Sequence, residues 1–122
     1  VAQILLVSLG AGLGGMLRHA VGLSAARRFG TGYPFGTLIV NVLGSFVMGL
    51  VTGLLVAHPG LAAHWRLPLG TGLLGGFTTF STFALDAGVM IERRARGRAL
   101  GYVALSVVAS IAAVALGLAL GG

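Results

Sequence analysis

Four stretches of this chain, residues 1–17, 29–65, 67–85 and 99–122, contain no acidic or basic side chain other than histidine. A helix that crosses a bilayer needs ~20 consecutive apolar residues, and runs of this length are what a chain of 122 residues can turn into four such crossings. Spans are expected at about 2–25, 35–57, 67–91 and 99–120, joined by short loops within a single transmembrane domain. Composition points the same way, since only 8% of residues are charged and 57% are apolar, against about 25% charged in a soluble domain. The fold class is therefore an all-α membrane protein. The first apolar run has its first cation at Arg18, so it lacks the basic leading segment of a signal peptide and reads as a span.

The polar residues inside these spans are few and ordered. In span three the run Gly75-Gly76-Phe77-Thr78-Thr79-Phe80-Ser81-Thr82-Phe83 sets two glycines and a series of hydroxyls and rings in an apolar segment. Irregular backbone at membrane depth survives only where protein, water or an ion takes up the freed groups, so a functional break is expected near Gly75-Gly76. Phe80 and Phe83 then share one face of the resumed helix, with Thr79, Ser81 and Thr82 close by as donors. In span two Thr37, Asn41, Gly44 and Ser45 form one small, polar stripe, and in span four Tyr102, Ser106 and Ser110 recur every four residues. Each stripe alone has a plain alternative. Asn41 serves equally as interhelical glue, and the serines as back-bonders to their own helix.

Several apparent signals carry nothing. Gly10 to Gly15 and Gly70 to Gly75 both spell a glycine-rich dinucleotide fingerprint, yet both lie in membrane-length apolar runs where the required strand, turn and helix have no place. The two also read as similar segments, LGAGLGG and LGTGLLGG. Gly10 and Gly14 are better understood as a small-residue pair for close helix approach. Three scattered histidines with no cysteine do not make a zinc site, and Trp65 fits an interfacial anchor. The net charge of +6 comes from eight arginines opposed by Asp86 and Glu92, and because the arginines lie mainly in inter-helix loops they favour anions and anionic lipid headgroups, with no nucleic-acid partner expected. Glu92 and Arg96 are spaced as an i,i+4 pair.

Taken together, three polar stripes can line a path through the membrane. None carries a lysine, a membrane-centre glutamate or a metal-ligand set, so proton-coupled transport and hydrolysis lack their usual equipment. What the stripes offer is neutral hydrogen-bond donors and ring edges of positive partial charge. Such a lining suits a small hydrogen-bond-accepting anion, because neutral donors replace its water and still release it.

GGFTTFSTF, with Gly36-Thr37 and Val40-Asn41 upstream, closely resembles the signature of the small Fluc (CrcB) fluoride channels, and the resemblance extends from Gly10 through the last helix. It implies a passive fluoride channel, not an enzyme, built as an antiparallel, dual-topology-type dimer with two pores in a prokaryotic inner (plasma) membrane. It also implies a central sodium ion held by carbonyls of Gly75 and Thr78. By the same resemblance Phe80 and Phe83 are pore rings, Asn41 the pore amide, Ser81 and Thr82 nearby donors, Thr37, Tyr102, Ser106 and Ser110 a polar track, and Arg18 a vestibule arginine; Phe77 is read as packing. Two positions depart from the family pattern. Asp86 replaces a usual glutamate, and remains open to reading as a helix-terminal charge or an arginine partner, while His19 stands where an aromatic residue is frequent.

Arginine distribution bears on the second subunit. Loops one and three hold Arg27, Arg28, Arg93, Arg94, Arg96 and Arg98, and loop two holds Arg66 alone. A homodimer is the first expectation from the family, but this bias makes a heterodimer with an oppositely biased partner the alternative. Two functional alternatives also stand. A small multidrug-type transporter subunit would need an acidic residue in span one, which has none, and a non-conducting helix-packing subunit would account for the 22 glycines but not for the hydroxyls and rings that follow Gly76.

Overall fold

Helix α1 (Ala2–Phe29) follows directly from the first apolar run, and it stops where Gly30 adopts a φ of 75° and donates its N–H back to Ala26 O. A five-residue turn containing Pro34 leads into α2 (Phe35–Ala57). The third crossing is composite. It comprises α3 (Pro59–Trp65), a π-helical segment π1 (Arg66–Leu74), a single turn α4 (Gly75–Phe77) and, after two extended residues, α5 (Phe80–Glu92). Helix α6 (Arg96–Gly121) completes the chain, and this computed structural model, which describes residues 1–122, contains no strand. Four units are long and apolar enough to cross a membrane: Ala2–Phe29, Phe35–Ala57, Pro59–Glu92 and Arg96–Gly121.

Two local expectations are corrected. The second connection is not a loop from Pro59 to Arg66, because Pro59 occupies the first helical position, where its missing N–H is no loss, and the chain turns at His58 alone. Beyond it the ladder widens to π spacing around Pro68, which has no N–H to give, and Gly75 N–H reaches back to Gly70 O as well as Gly72 O. Glu92 and Arg96 do not form an i,i+4 pair, since one ends α5, the other begins α6, and Arg94 between them takes a φ of 59° to reverse the chain.

Small residues bring the helices together. Along α2 and α6 a Cβ built on Gly49 or Gly53 would run into the backbone around Val114 to Gly122, and one on Gly117 or Gly121 into the backbone of Phe46 to Leu50. On the other side α1 packs against π1 and α4. There a Cβ on Gly10 would sit 2.7 Å from Pro68 O, and one on Gly14 would collide with Leu73 and Phe77. The two similar glycine-rich segments of the sequence are thus packed against one another. At one end of the molecule Arg98 donates to Gly32 O (3.3 Å), tying the α1–α2 turn to the start of α6.

Candidate functional site

The break in the third crossing lies at Thr78-Thr79, three residues after the glycine pair at which it was expected. Gly75 has ordinary helical angles (φ −62°, ψ −38°), whereas Thr78 (φ −81°, ψ 159°) and Thr79 (φ −149°, ψ 121°) are extended. Side chains determine the place. Thr78 Oγ1 donates to Leu74 O (3.0 Å), the carbonyl that also receives Thr78 N–H, and so ends the first half. Thr79 Oγ1 accepts Thr82 N–H (3.1 Å) and caps α5, with Thr82 Oγ1 at 3.2 Å and Ser81 Oγ at 3.4 Å.

Asn41 of α2 holds the break in position. Its Oδ1 accepts Thr79 N–H and its Nδ2 donates to Thr79 O, both at 2.8 Å. Because a backbone N–H can only donate, this pairing fixes which way the amide faces: the oxygen is occupied by Thr79, and the second Nδ2–H remains free. Diverting Thr79 N–H to Asn41 also removes the donor that Gly75 O would meet in a continuous α-helix. Thr78 O, which lies outside both helices, accepts no hydrogen bond.

Two cavities meet at this point. An open groove of about 460 Å³ runs between α2, α5 and α6, with Asn41, Thr79, Phe80, Phe83, Ser106 and Ser110 on its walls, and no acidic or basic residue borders it. The two phenyl rings stand 5.8 Å apart and inclined at 49°, and Phe80 is 79% exposed. Ser106 Oγ is buried and has no partner. The second cavity, about 340 Å³, lies between α1 and α2 and is bordered by Arg18, His19, Thr37, Thr79 and Thr82. Thr79 borders both. From sequence alone it is named only as a nearby donor and its role as the cap of α5 is missed, although a threonine three positions before Thr82 at the restart of a helix is a capping signal.

Behind the groove, Asp86 accepts from Thr37 Oγ1 (2.8 Å) and, at the limit of hydrogen-bond distance, from Tyr102 OH (3.5 Å). It sits in the middle of α5 with two hydroxyls as its hydrogen-bond partners, so it is neither a helix-terminal charge nor held by an arginine. Tyr102 is fully buried and does not border the groove; its ring lies 5.4 Å from Phe83 and edge-on to Tyr33 at 5.6 Å, which extends the pair of phenyl rings into a continuous aromatic row. Ser81 touches Thr79 but borders neither cavity, and Phe77 is buried against Gly44, as packing requires. Thus Asn41, Phe80, Phe83, Ser106 and Ser110 converge on one groove, while Arg18, Thr37 and Thr82 gather on the far side of Thr79.

The model of a family described as CrcB-like protein, Camphor Resistance (CrcB), matches residues 5–118. Among similar proteins, the fluoride-specific ion channel FluC of Methylobacterium nodulans is 54% identical over 115 residues, covering 94% of this chain and 92% of its own. The corresponding protein of a Caulobacter species, strain K31, is 46% identical over 117 residues (95% and 91%), and FluC 2 of Nitrobacter hamburgensis is 50% identical over 116 residues (95% and 94%).

Proposed function

The chain belongs to the CrcB-like family, and from that membership we propose that it is a fluoride-selective channel, not an enzyme, through which the anion leaves the cell down its own gradient. The observation that carries this is the fixed orientation of Asn41. With Oδ1 accepting from Thr79 N–H and Nδ2 donating to Thr79 O, the amide beside the groove keeps one uncommitted N–H donor. Ser106 adds an uncommitted hydroxyl, and the edges of Phe80 and Phe83 add positive partial charge, so the groove offers donors and no fixed charge. Neutral donors of this kind exchange with the water around a small anion without trapping it.

In this proposal Asn41, Phe80 and Phe83 line the pore, with Ser81 and Thr82 as nearby donors and Thr37, Tyr102, Ser106 and Ser110 as the polar track beside it. Arg18, half-buried in the second cavity, concentrates anions at the entrance. The working unit is an antiparallel dimer with two pores in the bacterial inner membrane, formed with a second copy or with an oppositely oriented partner. What supports a dimer is the groove itself, which is open on one side and leaves Phe80 largely uncovered. A sodium ion held by the carbonyls of Gly75 and Thr78 belongs to the same proposal. The donor set fits, since Thr78 O accepts no hydrogen bond and Gly75 O has lost its helical donor to Asn41, and carbonyls freed at an interrupted membrane helix suit such a cation. Bound there, the ion would supply a positive charge linking the breaks of two subunits.

Fluoride efflux from liposomes containing only this chain, with chloride as control, tests the function. Rapid, fluoride-selective efflux is expected. Asn41→Asp should slow it by about three orders of magnitude, because a carboxylate within ~4 Å of an anion costs about 4 kcal/mol at an effective dielectric constant of ~20. Phe80→Ile, which removes a ring edge, should slow it by about tenfold. Well-folded protein without efflux, or variants as fast as the parent, would overturn the assignment.

A further inference from the structure

A third cavity shares no lining residue with the groove of the proposed pore. At the end where the α1–α2 and α5–α6 turns meet, an apolar groove of about 390 Å³ runs down the outside of the protein between the end of α1, the start of α2 and the start of α6. Phe29, Tyr33, Phe35, Leu38 and Leu105 form its walls, and Arg98 stands at its mouth. We propose that this groove binds one acyl chain of an anionic phospholipid, with the lipid phosphate on the Arg98 guanidinium.

Charge complementarity selects this occupant. Arg98 is held in place by its bond to Gly32 O at 3.3 Å and by the Tyr33 ring, whose centre lies 5.5 Å from the guanidinium carbon. One N–H of the fork is thereby engaged, and the others remain for a phosphate, which guanidinium recognises through paired hydrogen bonds. Arg27 and Arg28 in the last turn of α1, with Arg93, Arg94 and Arg96 around the α5–α6 turn, give the same end a concentrated positive potential. The chain's two carboxylates offset this only in part: Glu92 belongs to the turn and Asp86 borders a neighbouring cavity with Arg93 and Arg98, which leaves six arginines at this end against two acids. Phe29 and Tyr33 both pack on Phe35, with ring centres 5.2 and 4.8 Å from it, an aromatic cluster suited to headgroup depth, and Leu38 and Leu105 continue the groove toward the hydrocarbon. A basic mouth above an apolar channel matches a phospholipid in both parts.

Native mass spectrometry of the intact protein, released from nanodiscs of equal dioleoylphosphatidylglycerol and dioleoylphosphatidylcholine, tests this directly and does not depend on ion conduction. The parent should retain phosphatidylglycerol at least fivefold over phosphatidylcholine. Arg98→Gln, which keeps a donor for Gly32 O, should abolish that preference, and Leu105→Trp, which fills the groove, should reduce retention of both lipids. Arg66→Gln at the opposite end should change nothing. Equal retention of the two lipids by the parent, a preference undiminished in Arg98→Gln, or a groove that captures a second copy of the chain in place of lipid would each overturn the proposal.

Discussion

Ser106 buries a hydroxyl without giving it a partner, and among the polar side chains of the three spans it alone does so. A buried, unsatisfied hydroxyl costs about 1–3 kcal/mol, so a residue there for packing alone would be better replaced by alanine. Its neighbours on the groove argue for use during conduction. Ser106→Ala should therefore raise the unfolding free energy by about 1 kcal/mol and, in the same preparation, lower fluoride flux severalfold. Greater stability with unchanged flux would remove Ser106 from the path. The four-residue spacing of Tyr102, Ser106 and Ser110 made this stripe legible in sequence, but not how it is used. Back-bonding to its own helix was an equal reading of Ser106, and only the position of its oxygen rejects it. Asp86 was open for a related reason: its partners, Thr37 and Tyr102, lie 49 and 16 positions away, and no local pattern encodes them.

The interruption of the third crossing separates two glycines that look alike in the sequence. Gly75 is helical and has only Gly70 O, 3.8 Å away, near a built Cβ, so Gly75→Ala should stabilise the subunit by about 0.5–1 kcal/mol. At Gly76 the same methyl would collide with the backbone of Ala11 on α1, and neither backbone can move aside cheaply. Gly76→Ala should cost at least about 2 kcal/mol. Thermal unfolding in detergent distinguishes them; equal effects would mean that α1 and α4 are not in contact as described. The comparison also shows what a reader of the sequence can recover. Apolar runs of membrane length predicted the four crossings, because a run of ~20 apolar residues satisfies its own backbone in lipid as a helix. The glycine pair announced the break, which follows it by three residues. Glycine merely permits a break, whereas the Asn41 amide, 38 positions from Thr79, determines where the ladder is abandoned. Likewise the interval between the expected spans at 35–57 and 67–91 was expected to be a loop, yet Pro59 at the first helical position starts a helix there.

For the whole molecule, the contact between Arg98 and Gly32 puts the first and third turns at one end, and with them six arginines, while Arg66 is alone near the other. Each arginine near an anionic cytoplasmic surface is worth about 1 kcal/mol, so an excess of five favours one orientation by about 5 kcal/mol, a ratio of several thousand. Expressed alone in cells, the chain should insert almost entirely with these two turns in the cytoplasm and both termini outside. A phosphatase fused at the C-terminus should then be active and a fluorescent protein dark. An antiparallel dimer, however, needs both orientations. The consequence is a specific disagreement between two assays. Subunits extracted in detergent can turn over and pair, so liposomes of the single chain should conduct fluoride, whereas cells lacking an oppositely biased partner should gain little fluoride resistance from it. Moving the excess, by Arg93→Gln, Arg94→Gln and Arg96→Gln together with two arginines added beside Arg66, should populate both orientations and restore resistance without a partner. Strong resistance conferred by the unaltered chain alone, with comparable signals from both C-terminal reporters, would show that the arginine bias does not govern its insertion.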